Sequence, residues 1–96
     1  MSEQVRVLKL GTGEFAAEVH EGEQVTEHRV VVSDRFRDKL LLEGVDEQRL
    51  VSESLKCLLQ QLPVTSLPHD IDLDQVDEND PEFLPELRAR LGEQAP

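Results

Sequence analysis

A chain of 96 residues provides one modest domain with a single core and leaves no room for a cleft between two lobes. Its net charge of −11 repels nucleic acid and anionic membranes and favours solubility and basic partners. Three Phe with no Trp or Tyr rest the core on Leu and Val and supply no base-stacking platform.

The strands come first. Residues 4–10, 14–20 and 25–32 are rich in Val, Leu and other strand-forming residues, and Gly11-Thr12-Gly13 and Glu21-Gly22-Glu23 separate them. Connections this short favour an antiparallel meander. Pairing His20 with Val25 sets Phe15 opposite Val30, Ala17 opposite His28 and Val19 opposite Thr26. Pairing Leu10 with Phe15 sets Leu8 opposite Ala17. Alternation then predicts one apolar face of Leu8, Leu10, Phe15, Ala17, Val19, Val30 and Val32. The opposite face carries Lys9, Glu14, Glu18, Glu27 and Arg29, the pattern of a sheet covered on one side.

Two helices follow. Ser33 is an N-cap for DRFRDKLLLE, with Phe36, Leu40 and Leu41 on its apolar side and Gly44 as its stop. Asp46 caps a second helix over 47–61, where Val51, Leu55, Leu58 and Leu62 recur at helical spacing. Pro63 closes it.

Beyond Pro63 the composition shifts. Residues 1–65 carry 12 acids and 8 bases, whereas residues 66–96 carry 9 acids and 2 bases. From Asp70 to Glu82 there are seven acids and no base: Asp70, Asp72, Asp74, Asp77, Glu78, Asp80 and Glu82. A short helical turn can start at Asp72, and Pro85 suits the first turn of a last helix edged by Leu84, Leu87 and Leu91. The expected fold is therefore α+β: a three-stranded antiparallel meander, two helices packed on one face, and a short C-terminal helix after an acidic loop. Residues 1–66 form the core, 67–91 pack on or beside it, and 92–96 are a loose tail.

The chemical motifs are weak. Asp70, Asp72 and Asp74 match the first three ligand positions of a calcium loop, but Gln75 stands where its turn needs Gly and Pro81 where it needs a bidentate Glu. His20, His28 and His69 lack the paired spacing of a zinc site. Cys57 lies beside the apolar stripe of its helix, where a thiol acts as a small hydrophobe. One cysteine closes no internal disulfide, so no secreted, stapled scaffold is indicated. Gly11-Thr12-Gly13 lacks the length and the Lys of a phosphate loop. No catalytic, cofactor-binding or metal-binding residue is assigned. MSEQVRVLKL lacks the features of a signal peptide, and no apolar run reaches membrane length, so the expected location is cytoplasmic.

The stretch HRVVVSDRFRDKLLLEGVDEQRLVSESLKCLLQQL, read as strand, helix, turn, helix, resembles the order of ribbon-helix-helix repressors and antitoxins. That order implies a strand from each of two protomers in the DNA major groove and the second helix's N-terminus on phosphate. Asp46 and Glu47 put negative charge at that N-terminus, and residues 14–20 offer the strand a local partner. The longer run from HRVVVSDRF through RLVSESLKCLLQQLPVTSLPHDIDL, residues 25–76, resembles a group of small uncharacterised bacterial proteins. That resemblance implies a bacterial, cytoplasmic protein and carries no chemistry with it. The expected function is a non-enzymatic protein-interaction or regulatory module, with a DNA-binding regulator as the alternative. The seven acids of the 70–82 strip read either as a solvating segment that keeps the chain in solution or as a docking contact for a basic protein surface, the interleaved Ile71, Leu73, Val76 and Phe83 favouring the contact.

Overall fold

The computed structural model describes residues 4–40 and 44–93. Strands β1 (Gln4–Gly11), β2 (Glu14–Glu21) and β3 (Gln24–Val31) lead into helices α1 (Asp34–Leu40) and α2 (Glu47–Leu59). A 3-10 turn over Val64–Ser66, strand β4 (Asp70–Asp72) and helices α3 (Leu73–Asn79) and α4 (Phe83–Glu93) complete the chain. The fold is α+β, with one mixed sheet in the order β1-β2-β3-β4. The antiparallel meander is present, but β4 adds a parallel strand to β3, and the described residues hold four helices where three were expected. Among the described residues no helix is long and apolar enough to cross a membrane.

The β2–β3 register is the one that alternation predicts: Phe15 faces Val30, Ala17 faces His28, Val19 faces Thr26 and His20 faces Val25. The register of β1 is not. Lys9 faces Phe15, Leu8 faces Ala16 and Val7 faces Ala17, with an irregularity between Lys9 and Gly11 that leaves Leu10 outside the ladder. One extra residue in a strand turns every side chain before it to the other face. Val5 and Val7 therefore pack against the core, while Leu8 and Leu10 are 64% and 54% exposed. Lys9, expected on the outer face, instead reaches the helices and pairs with Glu47 at 3.3 Å.

Ser33 caps α1, its hydroxyl oxygen accepting from the Phe36 N–H at 3.0 Å. The last carbonyls of α1, at Lys39 and Leu40, each accept from the Arg88 guanidinium at 2.9 Å, which closes the helix end with a cation. The Leu41-Leu42-Glu43 end of the expected first helix lies outside the described residues.

Asp46 caps α2 by accepting from the Arg49 N–H. The expected stripe is rotated. Val51 and Leu55 are fully buried, but Leu58 is half-buried and Leu62, beyond the helix end, is 41% exposed. Leu50, Ser54, Cys57 and Leu59 are buried instead. The cause is a second cover, because α2 packs on the sheet with one side and on α4 with another, and so needs a wider apolar arc than the sheet alone would ask. Ser54 tolerates its burial by donating to the Leu50 carbonyl at 2.8 Å.

Residues past 66 complete the core. Ile71 of β4 lies beside Val30, and Leu73, Phe83, Leu87 and Leu91 join one buried cluster with Phe15, Phe36 and Leu55. The rings of Phe36 and Phe83 lie 6.2 Å apart. The 67–91 segment is therefore a strand and two helices: α3, capped by Asp72, is the helical turn read from that residue, grown to seven residues, and β4 is the element that was not expected. Of the expected tail, Gly92 and Glu93 belong to α4, and 94–96 lie outside the described residues.

Candidate interaction face

The helices cover one side of the sheet, and the other side is open. Cross-strand register sets out its rows: Arg6, Glu18 and Glu27 in one, and Leu8, Ala16, Arg29 and Asp70 in the next. Four large apolar side chains stand out from this side: Leu8 and Leu10 as above, Val25 at 53% and Val31 at 39% exposure. A shallow groove of about 560 Å3 crosses the face. Leu8 and Leu10 border it on β1, and Glu18, Glu27 and Arg29 border it on β2 and β3. The small Ala16 side chain between Leu8 and Arg29 leaves the space.

Charge on this face is mixed and net acidic. Arg29 pairs with Glu14 at 2.9 Å, and His20 Nε2 lies 2.5 Å from Glu18. Glu27 sits directly opposite Glu18, and its own carboxylate has no partner among the described residues. Like charges facing across a strand pair oppose folding.

The acidic strip is not one open surface. Asp72 caps α3 by accepting from the Asp74 N–H at 3.0 Å, and Asp74 accepts from the Ser33 hydroxyl at 2.5 Å. Asp77 pairs with Lys39 at 3.1 Å. Glu78 faces Arg35 at 3.9 Å, with both side chains exposed. Asp80 accepts from the Glu82 N–H at 3.0 Å and from Gln61 at 3.5 Å. Glu82 is exposed with its carboxylate unpaired among the described residues. Asp70 stands on the open side of the sheet in the row of Arg29, and Asp72 borders Val31. Most of these acids thus serve as caps and ion-pair partners that join α3 to α1. Alternation alone, by contrast, puts Leu8 and Leu10 of β1 on the covered face, and the structure exposes both. The clue was there: VRVLKL has apolar residues at both odd and even positions, so either register leaves two of them outside.

The buried polar groups do structural work. His28 donates from Nδ1 to the Pro68 carbonyl at 2.7 Å, since a carbonyl can only accept, and its Nε2 lies 2.7 Å from the Thr26 hydroxyl. With the Arg29 N–H donating to the His69 carbonyl at 2.7 Å, this pins the approach to β4. Glu53, buried on α2, lies 3.4 Å from Lys56 and 3.3 Å from Arg90 of α4. Burial pushes the Cys57 thiol up from 9.0 to about 11, nearby Arg90 lowering it and Glu86 and Glu53 adding to the rise. The thiolate is the reactive form, so at pH 8 Cys57 is expected to resist a thiol reagent until the protein unfolds. The same shift makes Cys57 favour folding fully below about pH 9, a contribution lost as pH rises toward about 11. Urea titrations of the protein and of Cys57→Ala at pH 8 and pH 11 check this: the wild-type protein loses more stability over that interval than the variant.

Among the described residues, no group of three or more His, Cys, Asp or Glu side chains converges as a metal set would. Comparison of the chain with family models, with curated proteins and with solved structures finds no match in any of the three.

Proposed function

We propose that the protein is a bacterial, cytoplasmic, non-enzymatic interaction module that docks a basic protein surface on the open side of its sheet. The observation that carries this is a sheet finished on one side only, with Leu8 and Leu10 exposed along a groove and Val25 and Val31 exposed elsewhere on the same side. Sheets are stable when their apolar side chains are buried against another layer, and exposed apolar residues rimmed by charge mark interaction sites. The acidic segment then acts mainly through its field. It raises the encounter rate with a basic partner, while Asp70 borders the contact itself.

The ribbon-helix-helix alternative finds less support. β3 is bonded to β2 along its whole length and to β4 over Arg29–Val31, so only its Gln24–His28 stretch keeps an unpaired edge for the same strand of a second protomer.

Photo-cross-linking in the native host tests the proposal. A photoreactive residue is placed at Leu8 or Val25 on the open side, or at Arg35 or Glu78 on the far side. One discrete adduct from Leu8 and Val25, diminished by added salt, is expected. Adducts confined to Arg35 and Glu78 would overturn the proposal and return the contact to the helical side of the acidic strip.

A further inference from the structure

Building on that reading of the open face, we infer that its occupant is a basic amphipathic helix of the partner protein. Three considerations converge on it.

The first is backbone chemistry. The N–H and C=O groups of a sheet lie in its plane, so its face offers none to an incoming chain. A segment buried there must bring its backbone already satisfied, which a helix does and an extended peptide does not. Strand addition at the β1 edge is obstructed, because the Gln48 side-chain amide donates to the Val7 carbonyl at 3.3 Å and Lys9 is held against Glu47.

The second is size. Three strands of eight residues, at about 3.3 Å per residue and about 4.8 Å apart, make a face of roughly 26 by 14 Å. It accommodates one helix about 10 Å across and about 17 residues long. The groove over Ala16 receives its apolar stripe, and Leu8 and Leu10 flank it.

The third is charge. The open side carries Glu14, Glu18, Glu27, Asp70 and Asp72 against Arg6 and Arg29. A Lys or Arg of the partner set between Glu18 and Glu27 relieves their mutual repulsion and pairs the free Glu27. A second copy of this chain would bring the same acids and another net charge of −11 to the contact.

Isotope-labelled protein is titrated with three synthetic 17-residue peptides while its amide NMR signals are followed. One is a helix former with Leu at i, i+3, i+4, i+7 and Lys on the flanks. The second has the same composition with Pro replacing two central residues, and the third has Glu in place of Lys. The basic helix is expected to move the signals of Leu8, Ala16, Glu18, Glu27 and Arg29. Its affinity should fall about tenfold or more between low and moderate salt, and similarly in the Glu18→Gln, Glu27→Gln double variant. Those two side chains are exposed or half-buried, so the variant keeps its fold, which its unshifted core signals verify. Signals moved instead around Asp74, Asp77 and Glu78 overturn the inference. So do face signals left unmoved at millimolar basic helix, and face signals that broaden with protein concentration alone. Equal binding of the acidic or Pro-broken peptide overturns the basic helix but keeps the face as a docking surface. Cross-links confined to the far side in the native host remove the docking face itself.

Discussion

Replacing Phe83 by Ala is expected to lower the unfolding free energy by about 3–5 kcal/mol, the usual cost of emptying a buried Phe site. Phe83 is 3% exposed, opens α4, and faces the Phe36 ring across the core. Its loss leaves a cavity bounded by Phe36 of α1 and the rest of the apolar cluster. The matching control is Leu62→Ala, at 41% exposure just past α2, which should cost well under about 1 kcal/mol. Chemical denaturation of both variants checks the pair. A small effect at Phe83 would return the C-terminal segment to the margin of the fold and leave the 1–66 core to stand by itself.

Gly13→Ala is expected to cost about 3 kcal/mol, for two separate reasons. Gly13 has φ +71°, a conformation that an L-residue adopts at a cost. A Cβ built there would also lie 2.5 Å from the Val32 carbonyl oxygen, which is backbone and cannot rotate away. The close approach serves a purpose, since the Val32 N–H donates to the Gly13 carbonyl at 2.8 Å and ties the first hairpin turn to the end of β3. Gly22 isolates the conformational part. Its φ is +61° but a Cβ there meets open space, so Gly22→Ala should cost only about 1 kcal/mol. Equal costs at the two positions, read from denaturation midpoints, would show that the turn yields without strain.

These positions also show how far the sequence could be read. The β2–β3 hairpin was legible because Phe15-Ala16-Ala17-Glu18-Val19 alternates cleanly and a two-residue connection at Gly22-Glu23 fixes the register. β1 was not, because apolar residues occupy both parities and the bulge at Leu10 decides between them. α2 was recognisable as a helix, but not the rotation that α4 imposes on its buried side. β4 was hidden by its length, since Asp70-Ile71-Asp72 has one inward side chain and two carboxylates, which reads as acidic loop until Val30 is seen beside Ile71. Of the candidate face, Glu14, Glu18, Glu27 and Arg29 could be assigned in advance. Leu8 and Leu10 fall on the covered side when strict alternation is applied to β1, and with them goes the apolar content of the open side.

The most direct test of an open face that a partner covers is the labelling rate of a thiol placed at Leu8. Leu8→Cys is introduced with Cys57 replaced by Ala, and a maleimide reaction is followed in buffer and in concentrated extract of the native host. The expected rate in buffer is that of an exposed cysteine, because Leu8 stands 64% exposed on the open side. In extract the rate should fall several-fold and recover on addition of salt. Slow labelling in buffer would contradict the β1 register and the open face with it, and a rate unchanged in extract would contradict the partner.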